Sequence, residues 1–462
     1  MKKILSVLLS LTLVLCLSVP ALAAETETPA QAPAPWTYEY LADAYALGLV
    51  DDNYASYILD PVTMEQLESM TAIVSDKLAL LELPQRTADD AALVIDTTRG
   101  GVMNALYQAC ADYQLEGIES GAAGFLKGLG VVNGVNASGE LNLERPCTYQ
   151  EAMVMAGRLI LAVYDRQNAG SHGLLWKASN GENTLYLLGT AHMDRSNVYP
   201  FQKSLRAALA SADEVYFELD FNDQAGIAEF AAMQTFSDGT TLKDHISEEL
   251  YAQTVEVFSA LGMTEEDISS YKPWALANSL MSLSTTDETT TGAPMAIDLY
   301  LNAAAANAGK QIGGIESYAL QGGIFDTLSP EYQEAYLASY VAIAQSSITG
   351  KAPELSEEDQ KALQEAMELQ QRTWDAIMEA WKAGDVAAME KILDKASVVE
   401  GDDELSSRLF TDRDPNMIDF AAKLLEREGE NTFFMAVGAG HMVDPGGIIS
   451  GLRALGYTVE EM

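Results

Sequence analysis

Four short β-rich runs, 185–188, 214–219, 311–315 and 433–437, recur through the C-terminal two-thirds of the chain with helical stretches between them. That alternation constrains the fold most, because strands joined through helices assemble into a sheet that is largely parallel. Strands of a parallel sheet are covered on both faces and read as near-continuous apolar runs. Two of the runs do so and then end alike. "TLYLLGTAHM" (184–193) stops at Gly189 and reaches His192 three residues later, and "TFFMAVGAGHM" (432–442) stops at Gly438 and reaches His441.

Ligands of an open α/β sheet sit beyond the carboxyl ends of its strands. The apolar flanks of both Gly-x-x-His corners make their strands central, and each glycine is expected to permit a tight turn that aims the imidazole inward. Glu218 closes "EVYFELD" and Glu316 closes "KQIGGIES" in the same manner. If the four strands are neighbours, two imidazoles and two carboxylates meet in one cleft. Such a set suits a divalent metal, with bound water as nucleophile and a carboxylate as base. Two other readings stay open: Glu218 belongs to a structural ion pair, with Asp220 beside it as the other choice of carboxylate, or the four residues only fasten the strand ends together. The remaining histidines, His172 and His245, have no partner implied by spacing, and Trp274, Trp374 and Trp381 read as core anchors.

Charge narrows the partners. The chain of 462 residues carries 68 acidic against 27 basic residues, a formal net charge of −41. A polyanion would be repelled, which sets nucleic acid and anionic membrane aside. With 48% hydrophobic residues the chain can bury substantial cores, and its length suggests about two or three domains. Residues 1–23 pair Lys2 and Lys3 with an apolar stretch and an Ala-Leu-Ala cleavage site, the pattern of a secretory signal peptide, so the protein is expected outside the cytoplasm. No later segment is apolar enough to span a membrane. Cys110 and Cys147 lack metal-ligand spacing and read as buried thiols, with a bridge as the alternative.

Residues 24–34, rich in Ala, Pro and Thr, read as a linker. Residues 35–166 carry two copies of a degenerate helical repeat: a helix ending at a glycine (Gly48, Gly130), a polar turn, Pro-x-Thr (Pro61–Thr63, Pro146–Thr148) and a second helix. Thr63 with Gln66 and Thr148 with Glu151 have capping-box spacing. This region resembles the S-layer homology module, which implies attachment to cell-wall polysaccharide. Met64 and Tyr149 stand where that family generally has an arginine.

From residue 167 to 462 the texture is α/β. The features quoted above, with "GTTLKDHI", "KPW" (272–274), "GAPMAIDLYL" with Asp298, "AWKAGD" and "DRDPNMIDF", resemble the TraB/PrgY/GumN family, relatives of the TIKI metalloproteases. The resemblance implies an exported metal-dependent peptidase acting on secreted peptides or proteins, with a peptide-sequestering protein as the alternative. It implies metal ligands among His192, His441, Glu218 and Glu316, catalytic roles for Glu218, Glu316 and Arg413, and manganese or cobalt ahead of zinc. The family's arginine–asparagine pair is Arg413–Asp414 here, and the nearest asparagine is Asn416.

Overall fold

The computed structural model describes residues 31–87, 93–134, 138–191, 198–285, 295–345, 348, 357–400 and 403–462. Residues 1–23, read above as a signal peptide, residues 24–30 and His192 lie outside the described residues. The sheet has six strands: β1 (Leu174–Ser179), β2 (Thr184–Thr190), β3 (Glu214–Phe217), β4 (Gln311–Gly314), β5 (Thr432–Gly438) and β6 (Thr458–Glu461), in the order β4-β3-β5-β2-β1-β6. The four runs read from sequence are β2 to β5, and they form a contiguous parallel block. β2 and β5 are central and buried along nearly their whole length. β1 and β6 escaped the sequence reading. β1 runs antiparallel to both its neighbours, joined to β2 by a tight Asn-Gly loop in which Gly181 takes φ +98°.

The connections create a crevice. Beyond β3 the chain continues to β4 on one side, whereas beyond β5 it continues through the short helix Ala439–Met442 and the helix Ile448–Ala454 to β6 on the other. Adjacent strands whose chains depart in opposite directions leave a gap beyond their carboxyl ends. β3 and β5 are such a pair. Helices pack around the sheet. The long helix Glu357–Ala383 ends at Gly384 (φ +68°), and Asp385 caps the next helix by accepting from Ala388 N–H at 2.9 Å.

The N-terminal helices are stitched together at their starts. Thr63 and Gln66 form the full capping box, and Glu151 returns a bond to the Thr148 N–H at 3.2 Å. A third helix, Arg99–Ala111, opens in the same way at Thr98. Main-chain bonds Val62 N–H to Cys147 O, Cys147 N–H to Thr97 O and Tyr149 N–H to Asp60 O lace the three starts at 2.8–3.0 Å. Cys110 and Cys147 are buried and free. Gln31 and Ala34, at the end of the stretch read as linker, bond to Leu59 and Gln150. One apolar core runs from Leu41 to Val459 through both regions. Tyr300 OH donates to Asp43 at 2.7 Å, Lys77 donates to Tyr199 O at 2.9 Å, and Arg206 pairs with Asp165. None of these contacts involves Glu218, Glu316, Arg413 or His441.

Candidate active site at the β3/β5 crevice

Glu218 is the first residue beyond β3, and its side chain is buried over the crevice. Its Oε1 accepts the Gly438 N–H from the end of β5 at 2.8 Å, so one strand's terminal carboxylate is held by the other strand's terminal amide. Glu316, two residues beyond β4, donates its N–H to Glu218 O at 2.9 Å, and its side chain is 3% exposed. Arg413, the N-cap residue of the helix Asp414–Leu425, lies between the two carboxylates. Its Nη2 is 2.6 Å from each, and its Nε is 2.9 Å from Glu316 Oε1. Gln321 Nε2 donates to both at 3.0 and 2.9 Å. Burial disfavours the charged guanidinium, but Glu218 and Glu316 more than offset that and hold its pKa above the usual arginine value.

His441 follows from the other side. It sits in the short helix after β5, 4% exposed, with Nδ1 2.6 Å from Asp414 Oδ1 and Nε2 3.8 Å from Glu218 Oε1. Asp414 Oδ2 pairs with Lys395 Nζ at 2.5 Å, and the same ammonium donates to Val443 O at 3.1 Å. Phe410 packs between them, 5.4 Å from the imidazole and 5.1 Å from Nζ.

The Gly-x-x-His glycines act differently from the expectation of a tight turn. Neither Gly189 nor Gly438 has positive φ. A Cβ on Gly189 would lie 3.2 Å from Ala439 Cα and 3.4 Å from Ala439 Cβ, so this glycine lets the helix after β5 pack directly on the end of β2. Gly189 and Val437 are register partners, which brings the ends of β2 and β5 side by side at one edge of the sheet. The Gly189 carbonyl accepts the Trp381 indole N–H at 2.7 Å. Trp274 and Trp381 are buried and Trp374 half-buried against the core; His245 is exposed and stacked on Phe236, and His172 is half-buried.

The structure therefore brings Glu218, Glu316, Arg413 and His441 together. Asp220 turns away and caps Asn222 N–H at 2.9 Å, while Asn416 is exposed and bonded to Asp412 O. Sequence reasoning missed Gln321, Asp414 and Lys395. Only Asp414 had left a signal, as the departure from the family's asparagine. Among the described residues no three His, Cys, Asp or Glu side chains are placed to hold a metal ion. Two donors nonetheless face each other, His441 Nε2 and Glu218 Oε1, and a carboxylate behind the imidazole is the usual support of a metal-binding histidine. That donor pair fits a divalent ion; both Glu316 oxygens are bonded to Arg413. A cavity of about 390 Å³, lined by Leu320, Ile324, Thr327, Arg408 and Arg413 among others, opens beside the cluster.

The crevice beyond the carboxyl ends of such a sheet is where ligands of α/β domains generally sit. The chain belongs to the TraB/PrgY/gumN family, whose model matches residues 174–461. It is 24% identical over 314 residues to Metalloprotease TIKI1 of Danio rerio, covering 60% of each chain. It is 22% identical over 334 residues to Metalloprotease TIKI1 of Homo sapiens, covering 64% of this chain and 63% of the other. With Metalloprotease TIKI2 of Danio rerio it shares 23% over 315 residues, 60% of this chain and 58% of the other. The chain thus spans about three-fifths of the length of these curated relatives. No solved structure matches it. Among the described residues no helix is long and apolar enough to cross a membrane.

Proposed function

We propose that this protein is an exported metal-dependent hydrolase that cleaves secreted peptides or proteins. The observation that carries the reading is His441 Nε2 facing Glu218 Oε1 at 3.8 Å, beside two buried carboxylates that share one guanidinium. Glu218 turns Oε1 toward the imidazole in a desolvated place, where a cation held by both donors would be strongly stabilised. Glu218 and His441 would hold it, with His192 as the third donor; manganese or cobalt is favoured over zinc. A divalent ion supplies Lewis acidity and lowers the pKa of bound water toward about 7.

The chain's own groups prepare that place. Gly438 N–H and Arg413 fix the two oxygens of Glu218, so the carboxylate presents Oε1 to the imidazole. Arg413 uses Nε and Nη2 on the carboxylates and Nη1 on Leu409 O, which makes it a clamp on Glu218 before it is an oxyanion donor. The cavity beside it gives a peptide a route to the edge of the cluster.

Metal analysis of the purified full chain, before and after loading with Mn, Co and Zn, tests the reading, followed by incubation with a peptide library. Bound metal and truncated peptides that disappear in His441→Ala and Glu218→Gln support it. A wild type that stays metal-free under all three loadings overturns it, and intact peptides co-purifying with that protein point to sequestration instead. The extracellular location rests on residues 1–23 and is tested by fractionation. Wall attachment rests on residues 35–166, where Thr98–Arg99 opens a helix with the threonine–arginine pair that the other two starts lack; co-sedimentation with isolated walls tests it.

A further inference from the structure

We infer that Lys395 is a positioning residue for His441, acting through Asp414; the inference rests on the proposed use of His441 Nε2 as a donor. The chain has few basic residues, 27 against 68 acidic ones, yet it places this one in the interior, 2% exposed. An ammonium only donates hydrogen bonds, so Asp414 Oδ2 is an acceptor, and an ion-paired carboxylate accepts at Oδ1 as well. The hydrogen in the 2.6 Å contact between Oδ1 and His441 Nδ1 therefore comes from the imidazole. With Nδ1 protonated, the neutral ring carries its lone pair on Nε2, the nitrogen that faces Glu218.

Two further contacts show why the lysine, beyond the carboxylate, is required. By holding Oδ2, Lys395 stops the carboxylate from rotating and leaves one oxygen for the imidazole. By donating to Val443 O at 3.1 Å, it also fastens the residue that closes the short helix carrying His441. The ammonium thus fixes both the ring's hydrogen-bond partner and the main chain beneath the ring. Phe410 lies against both groups, 5.4 Å from the imidazole and 5.1 Å from the ammonium.

The test uses the full chain, metal-free, labelled with ¹⁵N for long-range imidazole spectra. Four histidines keep these simple, and His441→Gln assigns the signal. Wild type should show a single Nδ1–H pattern for His441, and Lys395→Met should lose it while weakening binding of cobalt(II) alone by about 10–100-fold. A Lys395→Met protein that keeps the wild-type pattern overturns the inference, whatever its melting temperature. If Lys395→Met does not fold, the double variant Lys395→Met/Asp414→Asn replaces it, because removing both buried charges together is far better tolerated than removing one. That protein should fold and lose the single Nδ1–H pattern, because without the ammonium the asparagine amide can turn either its oxygen or its NH2 to the ring; a double variant that is also unfolded, or that keeps the wild-type pattern, overturns the inference. Should wild type bind no cobalt while Lys395→Met still changes the imidazole pattern, the metal reading fails and the positioning role stands.

Discussion

Two buried charge clusters meet at the β3/β5 crevice and differ in their balance. On the β3 side Glu218 and Glu316 share Arg413, two anions on one cation; on the β5 side Asp414 has Lys395 to itself and carries a neutral-capable imidazole on its other oxygen. The balanced cluster needs nothing more and suits a rigid support. The other sets two carboxylates on one arginine and turns Glu218 Oε1 toward the imidazole, so it is where a bound cation would be held. His441 links the two, supported by Asp414 on the β5 side and facing Glu218 on the β3 side.

The largest effect should come from breaking the unbalanced cluster. Arg413→Met leaves two facing carboxylates without their cation, and the expected loss is about 3–5 kcal/mol in urea unfolding. Arg413→Lys should recover only part of it, since an ammonium lacks the planar fork that reaches both carboxylates. Removing the link is expected to cost less. His441→Ala leaves Asp414 still paired with Lys395 and should lose about 1–2 kcal/mol while abolishing metal uptake. A loss as large as that of Arg413→Met, with metal uptake intact, would favour the reading in which these residues merely fasten strand ends. Smaller again, Glu316→Gln removes the excess charge without touching His441. Stability should change by about 1 kcal/mol, because glutamine keeps the shape of the side chain and Arg413 keeps Glu218, whereas cobalt affinity, followed by titration calorimetry, should fall several-fold if the Glu316 charge helps to attract the ion.

The central strands were legible because burial on both faces leaves an unbroken apolar run, as at 185–188 and 433–437. β6 was not, since "TVEE" buries only Val459 at an edge. In the site, Glu218, Glu316 and His441 could be read from their place just past a strand, and the capping boxes from their spacing. Asp414 and Lys395 could not. A buried charge looks like a solvated one in a chain this rich in charged residues, and the contact Lys395–Asp414–His441 joins positions 395, 414 and 441 only through the fold. The glycines were placed correctly for a different reason: Gly189 makes room for Ala439 with no left-handed turn.

The smallest expected effect on cobalt binding asks whether the β2 corner belongs to the same centre. Trp381 comes from the last turn of the helix Glu357–Ala383, is fully buried, and donates its indole N–H to the Gly189 carbonyl at 2.7 Å. Gly189 in turn packs on Ala439, two residues before His441. Trp381→Phe keeps most of the apolar volume and deletes the donor, leaving one buried carbonyl short of a partner. The cost should be about 1–3 kcal/mol, read from thermal or urea melts. If both Gly-x-x-His corners serve one ion, loosening the β2 end should also weaken cobalt binding, although the indole N–H bonds to Gly189 O and not to Glu218, Glu316, Arg413 or His441; a variant that melts earlier but binds cobalt as wild type does would confine the centre to the β3 and β5 side.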